Sequence, residues 1–271
     1  MKKRNYLIVV AVTSLILLVT YLINDSKNIV FIACYTTVVI CVYIALHSMS
    51  KKVKGNEGSY RDYFAFPQMK KRYIVCFSFL GFLTNNFLSM VYTKCFGVPN
   101  NEIRVQDKYD NQSTFEMELY GGIQAPIVEE ILFRGLLFLV AVSVFKVISD
   151  KAKHVEVMNV IFFIVSSALF GFMHTISWGT LVKSMELETD LGHIFPYLIA
   201  GIIFSLLYLV TKTLYAPILA HMLNNLTDLQ FDYTVMFLGI MLFVLYVIYV
   251  YRTQKGMPIN KWLFVEDNKA R

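Results

Sequence analysis

The chain has 271 residues, of which 56% are hydrophobic and only 16% charged, with a mean hydropathy of +0.55 and a formal net charge of +6. A soluble domain carries about 25% charged residues. So much apolar surface does not fit into one water-soluble core, which excludes soluble single-domain, disordered and fibrous proteins and leaves an integral membrane protein with several spans. In that setting the basic surplus belongs to membrane topology, and the expected partner is a lipid bilayer, not nucleic acid. The four cysteines, Cys34, Cys41, Cys76 and Cys95, lack CxxC spacing, so neither a disulfide framework nor a zinc knuckle is expected.

A span needs about 20 mostly apolar residues. Eight stretches qualify, at 6–23, 29–47, 73–93, 119–148, 158–174, 193–211, 214–230 and 232–251. The first follows Met1-Lys2-Lys3-Arg4 and has no small-x-small cleavage site before Asn24-Asp25, so it reads as a retained helix. With the N-terminus in the cytoplasm, 19 of the 25 Lys and Arg fall inside and 5 outside, leaving Arg134 within a span. Acidic residues show the opposite bias. The expectation is therefore an all-α, polytopic cell-membrane protein of about eight transmembrane helices with a buried polar catalytic cavity. Residues 1–271 form one membrane domain, and both termini are cytoplasmic.

Two segments do not span. Residues 48–72 are basic, with Tyr60, Tyr63, Phe64 and Phe66 interleaved, and end in Pro67. They read as a cytoplasmic or interfacial stretch against anionic lipid, or as a solvated topology-setting loop. Residues 94–118 make a polar, acidic external loop containing Asn111-Gln112-Ser113.

The chemistry lies in ionisable residues at membrane depth, where a charge costs roughly 2.5–3.5 kcal/mol on insertion scales. The fourth span contains Glu129-Glu130-Ile131-Leu132-Phe133-Arg134. At 100° per residue, Glu130 and Arg134 share a face in the favourable order for an ion pair, while Glu129 turns elsewhere, a carboxylate free to act as a general base. A helix-packing triad is the other reading. The fifth span ends in Phe170-Gly171-Phe172-Met173-His174, whose imidazole is either a cap or a functional group. In the seventh span His221 and Asn225 stand four apart. Side by side they can donate to one developing oxyanion, or they can cross-link helices. Converging, Glu129, His174, His221 and Asn225 make a water-activating hydrolytic set. Gly121-Gly122 and Pro126 lie where a substrate or water would approach. Glu129, His174 and His221 also match a Zn²⁺ ligand set with one open position. A proton-coupled carrier would use the same charges as a relay, but the chain lacks an inverted repeat.

These elements resemble the signature of the CPBP family, the CAAX proteases and bacteriocin-processing enzymes also called the Abi family. The family pattern of Glu-Glu-x-x-x-Arg, Phe-x-x-x-His and His-x-x-x-Asn occurs here as Glu129-Glu130-x-x-x-Arg134, Phe170-x-x-x-His174 and His221-x-x-x-Asn225, in order and in separate spans. The match covers roughly residues 73–230, which would be the catalytic core. The resemblance implies an intramembrane glutamic endopeptidase without a cofactor, and the Lys-, Asn- and Ile-rich composition fits a bacterial member. Glu129 and His174 would activate water, His221 and Asn225 would form the oxyanion site, and Glu130 and Arg134 would support them. The implied substrate is a membrane-associated peptide or protein, through CAAX-type cleavage or the processing of bacteriocin or pheromone peptides. The same resemblance allows a non-proteolytic role in bacteriocin self-immunity, or as a scaffold for a membrane sensor kinase or a quorum-sensing peptide system. Other intramembrane proteases fit poorly, because His-Glu-x-x-His, Gly-x-Ser-x-Gly and Gly-x-Gly-Asp are all absent.

Overall fold

The computed structural model describes residues 2–23, 29–50, 69–97, 115, 118–148, 154–178, 181, 184, 185, 189, 191–226, 239, 241 and 245. Seven helices lie among them: α1 (Lys3–Ile23), α2 (Ile29–Ser50), α3 (Lys71–Phe96), α4 (Glu118–Ile148), α5 (His154–Thr175), α6 (Ile194–Thr211) and α7 (Tyr215–Leu226). The protein is all-helical and polytopic. The helices α1 to α6 each hold a stretch long and apolar enough to cross a membrane. The short turn after Thr211 separates α6 from α7, as the sequence reading expects, with Lys212 at a positive φ of 55° and the Thr213 hydroxyl accepting from the Tyr215 amide at 3.3 Å. The predicted eighth span falls outside the described residues except at isolated positions. Most of the basic 48–72 segment and the 94–118 loop also lie outside them.

Burial identifies α4 as the central helix, since 61% of its apolar window is inside the protein against 17% for α1 and 28% for α2. Lipid-facing helices keep their apolar side chains outward, as Leu15, Ile16, Val30 and Ile44 do. In hydrocarbon, close backbone approach and hydrogen bonds hold helices together, because burial of apolar surface gives no advantage over lipid. Antiparallel α1 and α2 are tied at both ends by phenols, Tyr6 to the Leu46 carbonyl at 2.8 Å and Tyr35 to the Leu17 carbonyl at 2.5 Å. Between α5 and α6 the contact is made by glycine. A Cβ on Gly201 would stand 2.7 Å from the Ser167 carbonyl oxygen, and one on Gly171 would stand 3.1 Å from the Leu198 backbone.

The central helix is not uniform. Glu118–Gln124 and Ile131–Leu136 are π-helical, flanking an α-helical Ala125–Glu130. Pro126 accounts for the first wide turn, because it has no N–H to donate and its ring crowds the carbonyl four residues back. That position is Gly122, whose missing side chain admits Leu226 of α7 to within 2.3 Å of where a Cβ would be. In the second wide turn the Phe133 carbonyl accepts the Ser166 hydroxyl of α5 at 2.9 Å, and Ser205 of α6 donates to Ser166 at 3.1 Å. The sequence reading treats the span as regular α-helix. The structure corrects that, and wide turns of this kind concentrate at functional sites.

Candidate active site

Glu129 and Glu130 close the α-helical segment between the two wide turns, so successive carboxylates leave α4 in different directions. Glu130 and Arg134 are both fully buried, and the Arg134 Nη1 donates to Glu130 Oε1 at 3.0 Å. The Arg134 Nη2 donates to the Gly201 carbonyl at 3.1 Å, and its guanidinium lies 4.4 Å over the Phe170 ring. An Arg at this depth is tolerable because its charge has an opposite partner and its planar face has an aromatic one.

Glu130 has a second partner. His221 Nδ1 stands 3.0 Å from Glu130 Oε1. A carboxylate oxygen accepts, so Nδ1 donates, and the Nε2 of a neutral His221 is left as an acceptor. The same logic holds for His174, whose Nδ1 donates to the Phe170 carbonyl one turn back at 2.7 Å. This backbone bond gives the Phe-x-x-x-His spacing a physical meaning. Each imidazole is held by a ring as well, His174 stacked on Tyr197 at 5.1 Å and His221 on Phe204 at 4.7 Å.

Both Nε2 atoms turn toward Glu129. Its Oε2 lies 3.6 Å from His174 Nε2 and 3.9 Å from His221 Nε2. Its Oε1 accepts from the Tyr21 hydroxyl of α1 at 2.5 Å. Four helices thus meet on one carboxylate. The His174 side chain keeps 21% of its surface exposed against 7% for His221, so the cluster opens on the His174 side. Among the described residues, no group of three or more His, Cys, Asp or Glu is disposed to hold a metal ion.

Asn225 sits apart. It is exposed, and its Nδ2 donates to the Gly121 carbonyl at 2.9 Å, with no hydrogen bond to Glu129, Glu130 or either histidine among the described contacts. Its neighbour Asn224 accepts from Asn85 at 2.8 Å and Asn86 at 2.9 Å, both on α3, and donates to Asn225 Oδ1 at 3.5 Å. This carboxamide ladder and Tyr21 are absent from the sequence-derived set. No sequence signal marks them: polar Asn pairs suit any helix interface, and a Tyr at a span end suits the interfacial belt.

The comparisons with known proteins bear on the same part of the chain. The model of the Rce1-like family, described as type II CAAX prenyl endopeptidase Rce1-like, matches residues 112–227. That segment of the chain is similar to the Rce1-like family. The Rce1-like segment holds Glu129, Glu130, Arg134, His174, His221 and Asn225, and excludes Tyr21, Asn85 and Asn86. The chain is also 30% identical over 110 residues to the Bacillus subtilis (strain 168) protein named "Putative membrane peptidase YdiL". That match covers 40% of this chain and 34% of YdiL, so the chain spans about a third of that relative's length. No solved structure matches it.

Proposed function

We propose that the protein is an intramembrane peptidase that hydrolyses a peptide bond of a membrane-associated peptide or protein with water activated by Glu129. The observation that carries this reading is the approach of Glu129 Oε2 to two imidazole Nε2 atoms at 3.6 and 3.9 Å. Those separations are too long for direct hydrogen bonds and suit a bridge through one water. With His174 neutral, its Nε2 and Glu129 Oε2 are two acceptors facing one point, which favours a proton-bearing species between them, while a His221 imidazolium donates from the third side.

In the proposed reaction Glu129 takes a proton from this water while its oxygen adds to the scissile carbonyl carbon. His174, held by the Phe170 carbonyl, orients the water. The developing oxyanion takes hydrogen bonds from the Nε2–H that the His221 imidazolium carries throughout the reaction, with Glu130 accepting from its Nδ1–H, and from Asn225. One N–H of the Asn225 carboxamide stays on Gly121 while the other serves the oxyanion. As the tetrahedral adduct collapses, the C–N bond breaks and the amine leaves with the proton held by Glu129. Arg134 balances the charge of Glu130, and the His221 imidazolium that of Glu129. The reaction as drawn needs no metal. The resemblance to the Rce1-like family supports CAAX-type cleavage or the processing of a pheromone or bacteriocin peptide, and the charge bias supports cytoplasmic termini.

Peptidomics of membranes from a deletion strain, complemented with the wild type or with Glu129→Gln, tests the reading. An uncut precursor that accumulates in the deletion and Glu129→Gln strains alone would name the substrate. Full complementation by Glu129→Gln would refute catalysis and leave the immunity or scaffold role. The purified wild type is expected to keep its activity in excess chelator. Loss of activity together with a stoichiometric bound metal would make Glu129, His174 and His221 zinc ligands instead.

A further inference from the structure

A carboxylate on a three-torsion side chain does not orient itself. Glu129 must present Oε2 to both imidazoles, yet among the described residues its one hydrogen bond within 3.5 Å is the Tyr21 hydroxyl on Oε1. That phenol comes from α1, 108 residues away and outside the Rce1-like segment. The Tyr21 ring is itself held. It stacks on Tyr35 of α2 at 6.4 Å with 14° between planes, and Tyr35 stacks in turn on Phe31 at 6.5 Å. The Tyr35 hydroxyl returns to α1 at the Leu17 carbonyl, one helical turn from Tyr21. The two tyrosines therefore lock each other: a hydroxyl of α2 fixes α1, a ring of α2 fixes a ring of α1, and the remaining hydroxyl fixes Glu129.

We propose that Tyr21 is a positioning residue for Glu129, so that α1 completes a site whose named motifs all lie elsewhere. The hydroxyl pins Oε1, which rotates Oε2 toward His174 and His221. Losing a hydrogen bond to a charged group corresponds to a change in rate of about 10-fold or more. The inference rests on the proposed peptidase reading for its rate effect, but the hydrogen bond is measurable without any substrate.

The test uses the full chain in detergent as wild type, Tyr21→Phe and Tyr21→Leu. The Glu129 carboxylate stretch is first assigned by infrared difference against Glu129→Gln. In Tyr21→Phe the ring stack on Tyr35 persists, and abundance and melting temperature are expected to match the wild type. Its carboxylate band is expected to shift, and kcat on a fluorogenic farnesylated peptide ending in a CAAX box to fall about 10-fold or more at unchanged KM. An unshifted band overturns the proposal. So does a Tyr21→Phe variant with wild-type kcat beside a defective Tyr21→Leu, which would reduce Tyr21 to ring packing. An inactive wild type whose band still shifts in Tyr21→Phe would sink the peptidase reading while supporting the positioning of Glu129 by Tyr21.

Discussion

Replacing Arg134 by Ala is the sharpest perturbation of the site's charge balance. Both members of the Arg134–Glu130 pair are fully buried, with 3.0 Å between Nη1 and Oε1, so the weak surface regime of about 0–1 kcal/mol does not apply. Removing one partner of a buried pair costs about 3–5 kcal/mol, chiefly because the other charge is left uncompensated. Within that figure fall the bond to the Gly201 carbonyl and the contact with the Phe170 ring, each on the order of 1 kcal/mol. Arg134→Ala also empties space beneath Phe170 and Phe204, so Arg134→Met is the control that keeps bulk and removes charge. At roughly 2–4 °C per kcal/mol for a chain of this size class, either variant should melt on the order of 10 °C lower. The assay is a thermal series of the detergent-solubilised protein read by fluorescence-detected size exclusion. The double variant Arg134→Met with Glu130→Gln should recover a large part of the Arg134→Met loss, because the orphaned carboxylate is gone. Recovery will be incomplete, since Glu130 also holds His221. A single Arg134 variant that melts with the wild type, or a double variant no better than the sum of the singles, would refute the buried-pair argument.

Asn225→Ala separates two roles for that carboxamide. As an oxyanion donor its loss lowers kcat by about 10²–10³ with little change in melting temperature. As a mere tether between α7 and the Gly121 carbonyl its loss lowers the melting temperature and leaves kcat intact. Gly201→Val is expected to reduce abundance and melting temperature, because its Cβ would meet the Ser167 carbonyl at 2.7 Å and displace the acceptor of Arg134. A well-expressed, thermally unchanged Gly201→Val protein would contradict the close packing of α5 on α6.

Most of the helical architecture was legible in the chain because hydrocarbon imposes a local rule: each spanning stretch must be long, apolar and internally hydrogen-bonded. The stretches around Val10, Val39, Phe82, Phe162 and Phe204 obey it without reference to one another. The Glu130–Arg134 pair was legible for a related reason, since four residues within one helix bring two side chains together whatever surrounds them. The irregularity of α4 was not. Pro126 gives notice of a disturbed turn, but the second wide turn begins at Ile131, where nothing in Ile131-Leu132-Phe133-Arg134-Gly135-Leu136 departs from ordinary helix formers apart from Gly135. Its freed Phe133 carbonyl is satisfied by a hydroxyl from another helix.

The candidate site divides along the same line. Ionisable residues in apolar runs announce themselves by their cost, and so Glu129, Glu130, Arg134, His174 and His221 stand out in the bare sequence. Which of them touch is a different matter. Helical spacing puts His221 and Asn225 on one face, yet in the folded protein His221 bonds to Glu130 while Asn225 reaches Gly121. Tyr21 was invisible, one of 17 tyrosines in a chain where an interfacial Tyr needs no explanation. Periodicity determines the face a side chain takes on its own helix. The meeting of α1, α4, α5 and α7 around one carboxylate depends on distances across the bundle, and those follow from glycine contacts and interhelical hydrogen bonds that only the assembled structure brings about.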